Sequence, residues 1–196
     1  MTSAATINLS RRRVKPSLDA SSPSPTNSEP RSLGVRIARY RLFFILSLAV
    51  FALDQVTKWL VAARFPFNPR HLHGPGLDRA VIDGFFYLIH VGNTGAAWSI
   101  LAGQGMLLAT LGARALAAIF FWRHALGLRS TAVQIAFGLL CGGIVGNLVD
   151  RLMHGHVIDF IDLHFGSYIY PTFNVADSGI CVGVLFYLWL NLREPG

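Results

Sequence analysis

Two carboxylates stand in apolar surroundings, where an ionised side chain is costly. Asp159 lies inside the stretch "VIDFI", and Asp177 heads a long hydrophobic run in "FNVADSGI". Two acids in one partly dry pocket cannot both ionise cheaply, so they share a proton. One carboxylate can then take a proton from water while its protonated partner donates to a carbonyl oxygen, which suits peptide hydrolysis. Proton-coupled transport uses similar buried acids, and both chemistries stay open at this point.

Further polar residues recur in short motifs at the ends of apolar segments. They are Asp54, Gln55 and Lys58 in "LDQVTK", Asn93 in "HVGNTGAAW", Asn147, Asp150 and Arg151 in "GNLVDR", and Asn174 in "FNVADS". Lipid supplies no hydrogen-bond partner, so polar groups at one membrane level need one another. The i, i+4 spacing of Asp54 and Lys58 predicts a local ion pair. Adjacent Asp150 and Arg151 predict an interfacial charge pair, and Asp162 is expected to be a solvated loop acid.

The elements that position these residues follow from composition and hydropathy. Hydrophobic residues make up 53% of the 196 positions and charged residues 14%, whereas soluble domains carry about 25% charged residues. Apolar segments at about 42–62, 100–122, 131–149 and 173–192 are each near the length that crosses a bilayer. Backbone groups must be satisfied internally in lipid, so all four are predicted helices. The fold class is an all-α membrane protein with four transmembrane helices.

Glycine-rich and β-prone stretches add detail to this architecture. The stretch "AVIDGFFYLIHV" in the long loop 63–99 predicts a small extracytoplasmic β-rich cradle. The glycines of "CGGIVGN" favour close helix approach over phosphate binding, because no lysine follows in P-loop spacing.

The basic residues predict the orientation of the bundle. They concentrate before span one, in the short connection between spans two and three, and after span four, as Arg31, Arg36, Arg39, Arg41, Arg123, Arg129 and Arg193. Fewer lie in the other loops, namely Arg64, Arg70, Arg79 and Arg151. Both termini are therefore expected in the cytoplasm, and the polar motifs at the outer face.

The net charge of +7 does not indicate nucleic-acid binding, because eight of the 17 basic residues lie at or before Arg41 and form a cytoplasmic flank. Residues 1–34 are rich in Ser, Pro and Arg and are expected to be a disordered basic extension, with residues 35–196 forming the membrane domain.

Cys141 and Cys181 predict neither a disulfide nor a metal site, and no cofactor or metal is expected. Arg114, midway along span two, fits neither the motifs nor lipid and is expected to snorkel.

Five motifs together resemble lipoprotein signal peptidase, also called signal peptidase II, a bacterial membrane aspartyl protease. They occur in family order as "LDQVTK", "HVGNTGAAW", "GGIVGNLVDR", "VIDF" and "FNVADSGI", and the resemblance covers about residues 40–192. It implies cleavage of diacylglyceryl-modified prolipoproteins just before the lipidated cysteine, at the outer face of the bacterial inner membrane. It also implies contact with membrane lipid and sensitivity to globomycin. We expect a monomer.

Carried over motif by motif, the resemblance makes Asp159 and Asp177 the catalytic dyad. The residues that it makes substrate-binding or dyad-supporting are Asp54, Lys58, Asn93, Gly95, Asn147, Arg151, Asn174 and Ala176. Asp150 would be structural. Trp98 stands where the family usually has Phe, and the N-terminal extension is longer than typical.

Two other functions compete with this interpretation. A small proton-coupled transporter would use the same acids as relays, but transporters usually show internal repeats and broken helices at the bilayer midplane. No repeat is visible in this sequence, and the acids gather at one face. A non-catalytic membrane scaffold would not need the acid pair at all.

Overall fold

Four long apolar helices dominate the structure, a computed structural model that describes residues 39–96, 98 and 100–193. The helices are α1 (Arg41–Arg64), α2 (Gly105–Trp122), α3 (Thr131–His154) and α4 (Val175–Arg193). Their lengths of 18 to 24 residues and mean hydropathies of 1.6 to 1.8 suffice for a bilayer crossing. The prediction of four spans is confirmed. The predicted disordered extension, residues 1–34, lies outside the described residues.

Local backbone conformation moves two of the predicted helix boundaries. α2 begins at Gly105 rather than near residue 100, because Leu101 and Gly103 have left-handed backbones, with φ of 59° and 79°. α3 continues to His154 rather than 149 and ends at Gly155, whose φ of 75° suits a helix C-cap. Asp150 and Arg151 therefore belong to the helix itself and present their side chains one turn before its end.

A four-stranded antiparallel sheet lies outside the spans. Its strands are β1 (Asp78–Ile82), β2 (Phe86–Asn93), β3 (Val157–Phe165) and β4 (Tyr168–Ile169), in the order β1-β2-β3-β4. The β1–β2 hairpin comes from "AVIDGFFYLIHV", as predicted, and turns at Gly84 with φ of 73°. β3 was not predicted. It follows α3 and pairs with β2, so the sheet joins the two loops at one end of the bundle.

α3 is the central helix and packs closely against its neighbours. Half of its spanning window (50%) is buried, against 11 to 17% for the other three helices. Glycines make this possible: a Cβ on Gly143 would collide with the carbonyl oxygen of Ala176 in α4, and one on Gly142 would lie 2.6 Å from the Ser47 carbonyl oxygen in α1. The predicted role of these glycines in close helix approach is confirmed, and it brings the polar ends of α1, α3 and α4 within hydrogen-bonding range.

Two remaining predictions concern side chains within the spans. Cys141 is buried and Cys181 is exposed, and both are free thiols. Arg114 is exposed on α2, and nothing in the structure explains a cation at this position.

We expect Gly143→Ala to lower the melting temperature, because the added methyl group must push α3 and α4 apart. Overpacking of this kind costs about 1–3 kcal/mol. Thermal unfolding of the purified protein in detergent measures the effect. The matched control is Gly112→Ala in α2, where the new methyl group meets only an Ile144 methyl at 3.4 Å. Equal melting temperatures for the two variants would contradict the packing argument.

Candidate active site

The polar motifs meet at one end of the bundle, where the sheet joins it. Six polar side chains of the predicted motifs are buried there, with exposed fractions of 6% or less: Asp54, Lys58, Asn147, Asp150, Asp159 and Asn174. They come from α1, α3, β3 and the residue before α4. The polar residues of the motifs therefore converge at one end of the bundle, as the sequence predicted.

Asp177 takes part in a reciprocal cap at the start of α4. The Asn174 side-chain oxygen accepts the Asp177 N–H at 2.9 Å, and the Asp177 carboxylate accepts the Asn174 N–H at 3.2 Å. This is the capping-box arrangement with Asn and Asp in place of the usual Ser/Thr and Glu. Asp177 is thus a helix-start residue, but its other carboxylate oxygen, Oδ1, remains available to partners outside the helix.

Asp159 lies in β3 and is 1% exposed. Its two oxygens accept hydrogen bonds from the side-chain amides of Asn174 at 2.7 Å and Asn93 at 3.0 Å. Burial and the neighbouring Asp177 carboxylate raise the pKa of Asp159 from 3.8 to about 8, although both amides and the Lys58 charge oppose the shift. The Asp159 carboxyl group therefore keeps its proton to a higher pH than an ordinary aspartic acid does.

Two asparagines connect the acids. Asn174 contacts Asp159 through its side-chain amide and Asp177 through its backbone N–H. Asn147 in α3 donates to Asp177 Oδ1 at 2.7 Å, and its oxygen accepts from Asn174 at 3.2 Å. The acids thus belong to one hydrogen-bonded unit that spans β3, α3 and α4.

Lys58 supplies a buried cation beside this unit. Its ammonium group lies 2.8 Å from Asp54 and 2.8 Å from Asp150, and donates to the Asn147 oxygen at 3.0 Å. The predicted Asp54–Lys58 pair is confirmed, but Asp150 also belongs to it. The predicted Asp150–Arg151 pair is wrong, because adjacent helix positions point in different directions and Asp150 faces α1.

The two acids beside Lys58 also hold backbone groups. Asp54 accepts the Ala176 N–H in the first turn of α4 at 2.9 Å. Asp150 accepts the Ile158 N–H at 3.1 Å, one residue before Asp159. The Lys58 cluster therefore fixes the backbone next to each of the paired acids. Gln55, the polar neighbour of Asp54 in "LDQVTK", completes the cluster by donating to Asp150 at 3.0 Å.

Arg151 points away from the Lys58 cluster. Its guanidinium donates to the carbonyl oxygens of Gly95 at 2.8 Å and Asn147 at 3.3 Å, while its buried Nε atom has no hydrogen-bond partner among the described residues. Gly95 in turn donates its N–H to Asn93 at 2.8 Å. Asn93, Gly95 and Arg151 thus link the end of β2 to α3.

A pocket opens beside Asp177. Its lining comes mainly from α2, α3 and α4: Ala96, Leu108, Gly112, Ile144, Asn147, Leu148, Arg151, Asp177 and Ile180. Trp98 is 62% exposed, with its ring 6.2 Å from that of Tyr170.

Asp162 contradicts its prediction as a solvated loop acid. It is fully buried in β3 and lies against His71, His73 and His164. Burial raises the pKa of Asp162, yet hydrogen bonds from His71 and His164 outweigh this effect and hold it below its usual value. The spacing "DLH" and the "HLH" of the preceding loop were the available signals, but only the fold brings them together.

The fold and the site define a multi-pass membrane protein that holds two linked carboxylates at one end of a helix bundle. Residues 46–193 match the family model described as signal peptidase (SPase) II. The chain therefore belongs to the signal peptidase II family and is a membrane protease.

Relatives and a solved structure agree with this assignment. The chain is 36% identical over 154 residues to a lipoprotein signal peptidase of Bacillus pumilus, which covers 79% of this chain and 94% of the relative. It is 37% identical over 157 residues to that of Bacillus subtilis, covering 79% and 96%. A bacterial membrane enzyme structure determined in meso at 2.3 Å matches with a TM-score of 0.68 and 30% identity, covering 77% of this chain and 87% of that one.

We expect Lys58→Met to destabilise the protein strongly, because it leaves Asp54 and Asp150 buried without a cation. Breaking a buried ion pair from one side costs about 3–5 kcal/mol. Thermal unfolding in detergent measures the loss, with Arg64→Met, an exposed cation in the same helix, as the control. A similar loss of melting temperature in both variants would contradict a stabilising role for the Lys58 ion pairs.

Proposed function

We propose that this protein is an aspartic endopeptidase that removes signal peptides from diacylglyceryl-modified prolipoproteins, cutting before the lipidated cysteine. The observation that carries the proposal is the sharing of Asn174 by Asp159 and Asp177, through its side-chain amide and its backbone N–H. The family match and the names of the relatives support the substrate class.

The two acids have different environments, and these suggest different roles. Asp177 lies in the first turn of α4, where the positive end of the helix dipole favours a negative charge. Asp159 keeps its proton to a higher pH than an ordinary aspartic acid does, because burial and Asp177 raise its pKa. Asp177 would therefore act as the general base and Asp159 as the general acid.

The reaction then balances with one water molecule. Asp177 takes a proton from the water molecule as the water oxygen attacks the scissile carbonyl carbon. Asp159 gives its proton to the carbonyl oxygen. The resulting diol collapses when the C–N bond breaks. The proton on Asp177 passes to the leaving amine, and a diol proton returns to Asp159, which restores the starting state.

The pocket beside Asp177 offers a route for the substrate. α2 and α4 both contribute to its lining, and α3 adds Ile144, Asn147 and Leu148. A signal helix that enters laterally between α2 and α4 would place its scissile bond beside Asp177. The Nε of Arg151, which has no hydrogen-bond partner in the part of the chain that the structure describes, would donate to a substrate carbonyl oxygen there.

The basic residues support an orientation with the acids at the outer membrane face. Arg39, Arg41, Arg123, Arg129 and Arg193 all lie at or beyond the helix ends opposite the acid pair. By the positive-inside rule, those helix ends and both termini would lie in the cytoplasm, with the protein in the bacterial inner membrane. The transporter alternative is not favoured, because the acids lie at one end of the bundle and the family consists of proteases.

We expect Asp159→Asn and Asp177→Asn each to reduce cleavage of a lipid-modified precursor at least about a hundredfold, because each removes a proton-transfer group. The assay is single-turnover cleavage by the purified protein, with and without globomycin. Asp83→Asn, in the exposed β1–β2 turn, is the control and should keep full activity. The dyad assignment is wrong if either folded dyad variant cuts at the wild-type rate.

We expect cleavage to decline as the pH rises above about 8, because Asp159 then loses the proton that it must donate. The sign follows from a raised acid pKa: the protonated form is present below it and is lost above it. The charges that face the pair are Asp54, Asp150, Lys58 and Arg151. The measurement is kcat between pH 6 and 10, and a rate that stays constant to pH 10 would contradict this role for Asp159.

A further inference from the structure

Three imidazoles surround one buried carboxylate in the sheet, away from the paired acids. We call His71, His73, His164 and Asp162 the histidine cluster. His71 and His73 lie in the loop between α1 and β1, and Asp162 and His164 lie two residues apart in β3, on the same face of the strand. Asp159 is three residues from Asp162 and so projects from the opposite face.

The distances within the histidine cluster fall into two groups. His73 Nδ1 lies 2.6 Å from Asp78, and His164 Nε2 lies 2.8 Å from Asp162, as expected of strong hydrogen bonds. His71 Nε2 instead lies 3.3 Å from Asp162 Oδ1, and His73 Nε2 lies 3.4 Å from Asp162 Oδ2. A tetrahedral zinc ion with bonds of about 2.0–2.1 Å separates its ligand atoms by about 3.3 Å. The second group therefore matches ligand spacing.

The three candidate ligand atoms also lie close together. One ligand atom each from His71, His73 and Asp162 lies within 4.8 Å of the others. The two histidines are about one-third exposed and Asp162 is fully buried, so the site is reachable from water while its anionic group is shielded. A buried carboxylate is ordinarily paired with a cation or a metal ion, and among the described residues the partners of Asp162 are histidines and Thr172.

His73 is oriented as a metal ligand. Its Nδ1 contacts Asp78 at 2.6 Å while its Nε2 faces Asp162. A histidine that binds a metal through one nitrogen commonly donates its other N–H to a carboxylate, which fixes the tautomer and the ring orientation. Asp78 thus supplies the outer partner that such a site requires.

The loop that carries the two histidines is held in shape. His71 has a left-handed backbone with φ of 52°, which is uncommon for a residue other than glycine. Asn68, which is 4% exposed, exchanges two hydrogen bonds with the backbone of Leu72, at 2.7 and 3.0 Å. This brace keeps the loop in the conformation that directs His71 toward Asp162.

We propose that His71, His73 and Asp162 bind a divalent transition-metal ion, Zn²⁺, with His164 and Asp78 orienting the ligands. The two imidazoles and one carboxylate suit zinc and leave a fourth position for water. The ion fastens the loop 65–77 to β3 and stabilises the sheet. It is separate from the acids proposed for peptide hydrolysis, and it departs from the expectation that the chain binds no metal.

The test uses the full chain, purified in detergent without a polyhistidine tag, stripped with EDTA and titrated with ZnCl₂ by calorimetry. We expect one ion per chain with a Kd in the micromolar range or tighter, and a rise in melting temperature of several degrees. Co²⁺ should give the visible absorption of a tetrahedral site. His73→Gln should abolish these signals, and Asp78→Asn should weaken binding about 10- to 100-fold.

Controls separate this site from other histidines and from the acid pair. His154→Gln removes an exposed histidine at the end of α3 and should bind zinc like the wild type, as should Asp159→Asn. If the wild type binds no zinc, or if His73→Gln and His154→Gln bind it equally, the proposal is overturned. Should His73→Gln fail to fold, Asp78→Asn decides, because it keeps every ligand: unchanged affinity in that variant would also overturn the proposal.

Discussion

The buried ammonium group of Lys58 is the interaction on which the arrangement of the site depends. It lies 2.8 Å from both Asp54 and Asp150, and those two carboxylates accept the backbone N–H groups of Ala176 and Ile158. A buried charge is tolerated only with close partners, so the positions of α1, α3, α4 and β3 are mutually constrained. The proposed catalytic acids each lie one residue beyond a backbone group that this cluster fixes.

The extramembrane sheet positions one of the two acids of the site. The acids come from one helix and one strand, and β3 is held in place by pairing with β2. The end of β2 supplies Asn93, which donates to Asp159, so the sheet contributes to the environment of the acid as well as to its position. Strand alternation then leaves the other face of β3 for the histidine cluster.

Much of the fold follows from local sequence, whereas several contacts do not. Hydropathy alone predicts the four spans because the bilayer imposes both length and composition. It misplaces the start of α2, since left-handed residues before Gly105 are not encoded by hydrophobicity. The adjacent charges Asp150 and Arg151 suggested a pair, but the helix directs one toward Lys58 and the other toward Gly95. Asp162 looked solvated because its three imidazole neighbours are remote in sequence or belong to a strand that was not predicted.

The sequence by itself determined that the chain spans a membrane, that its polar motifs lie at one level, and that Asp159 and Asp177 are the acids to consider. These inferences rest on periodicity, composition and motif order, which are local properties. Only the tertiary structure decided which hydrogen bonds each acid makes, that Asn174 connects the two, and that Lys58 has two carboxylate partners rather than one. Those contacts join residues from different elements, and their geometry is set by how closely glycine-bearing α3 packs against α1 and α4.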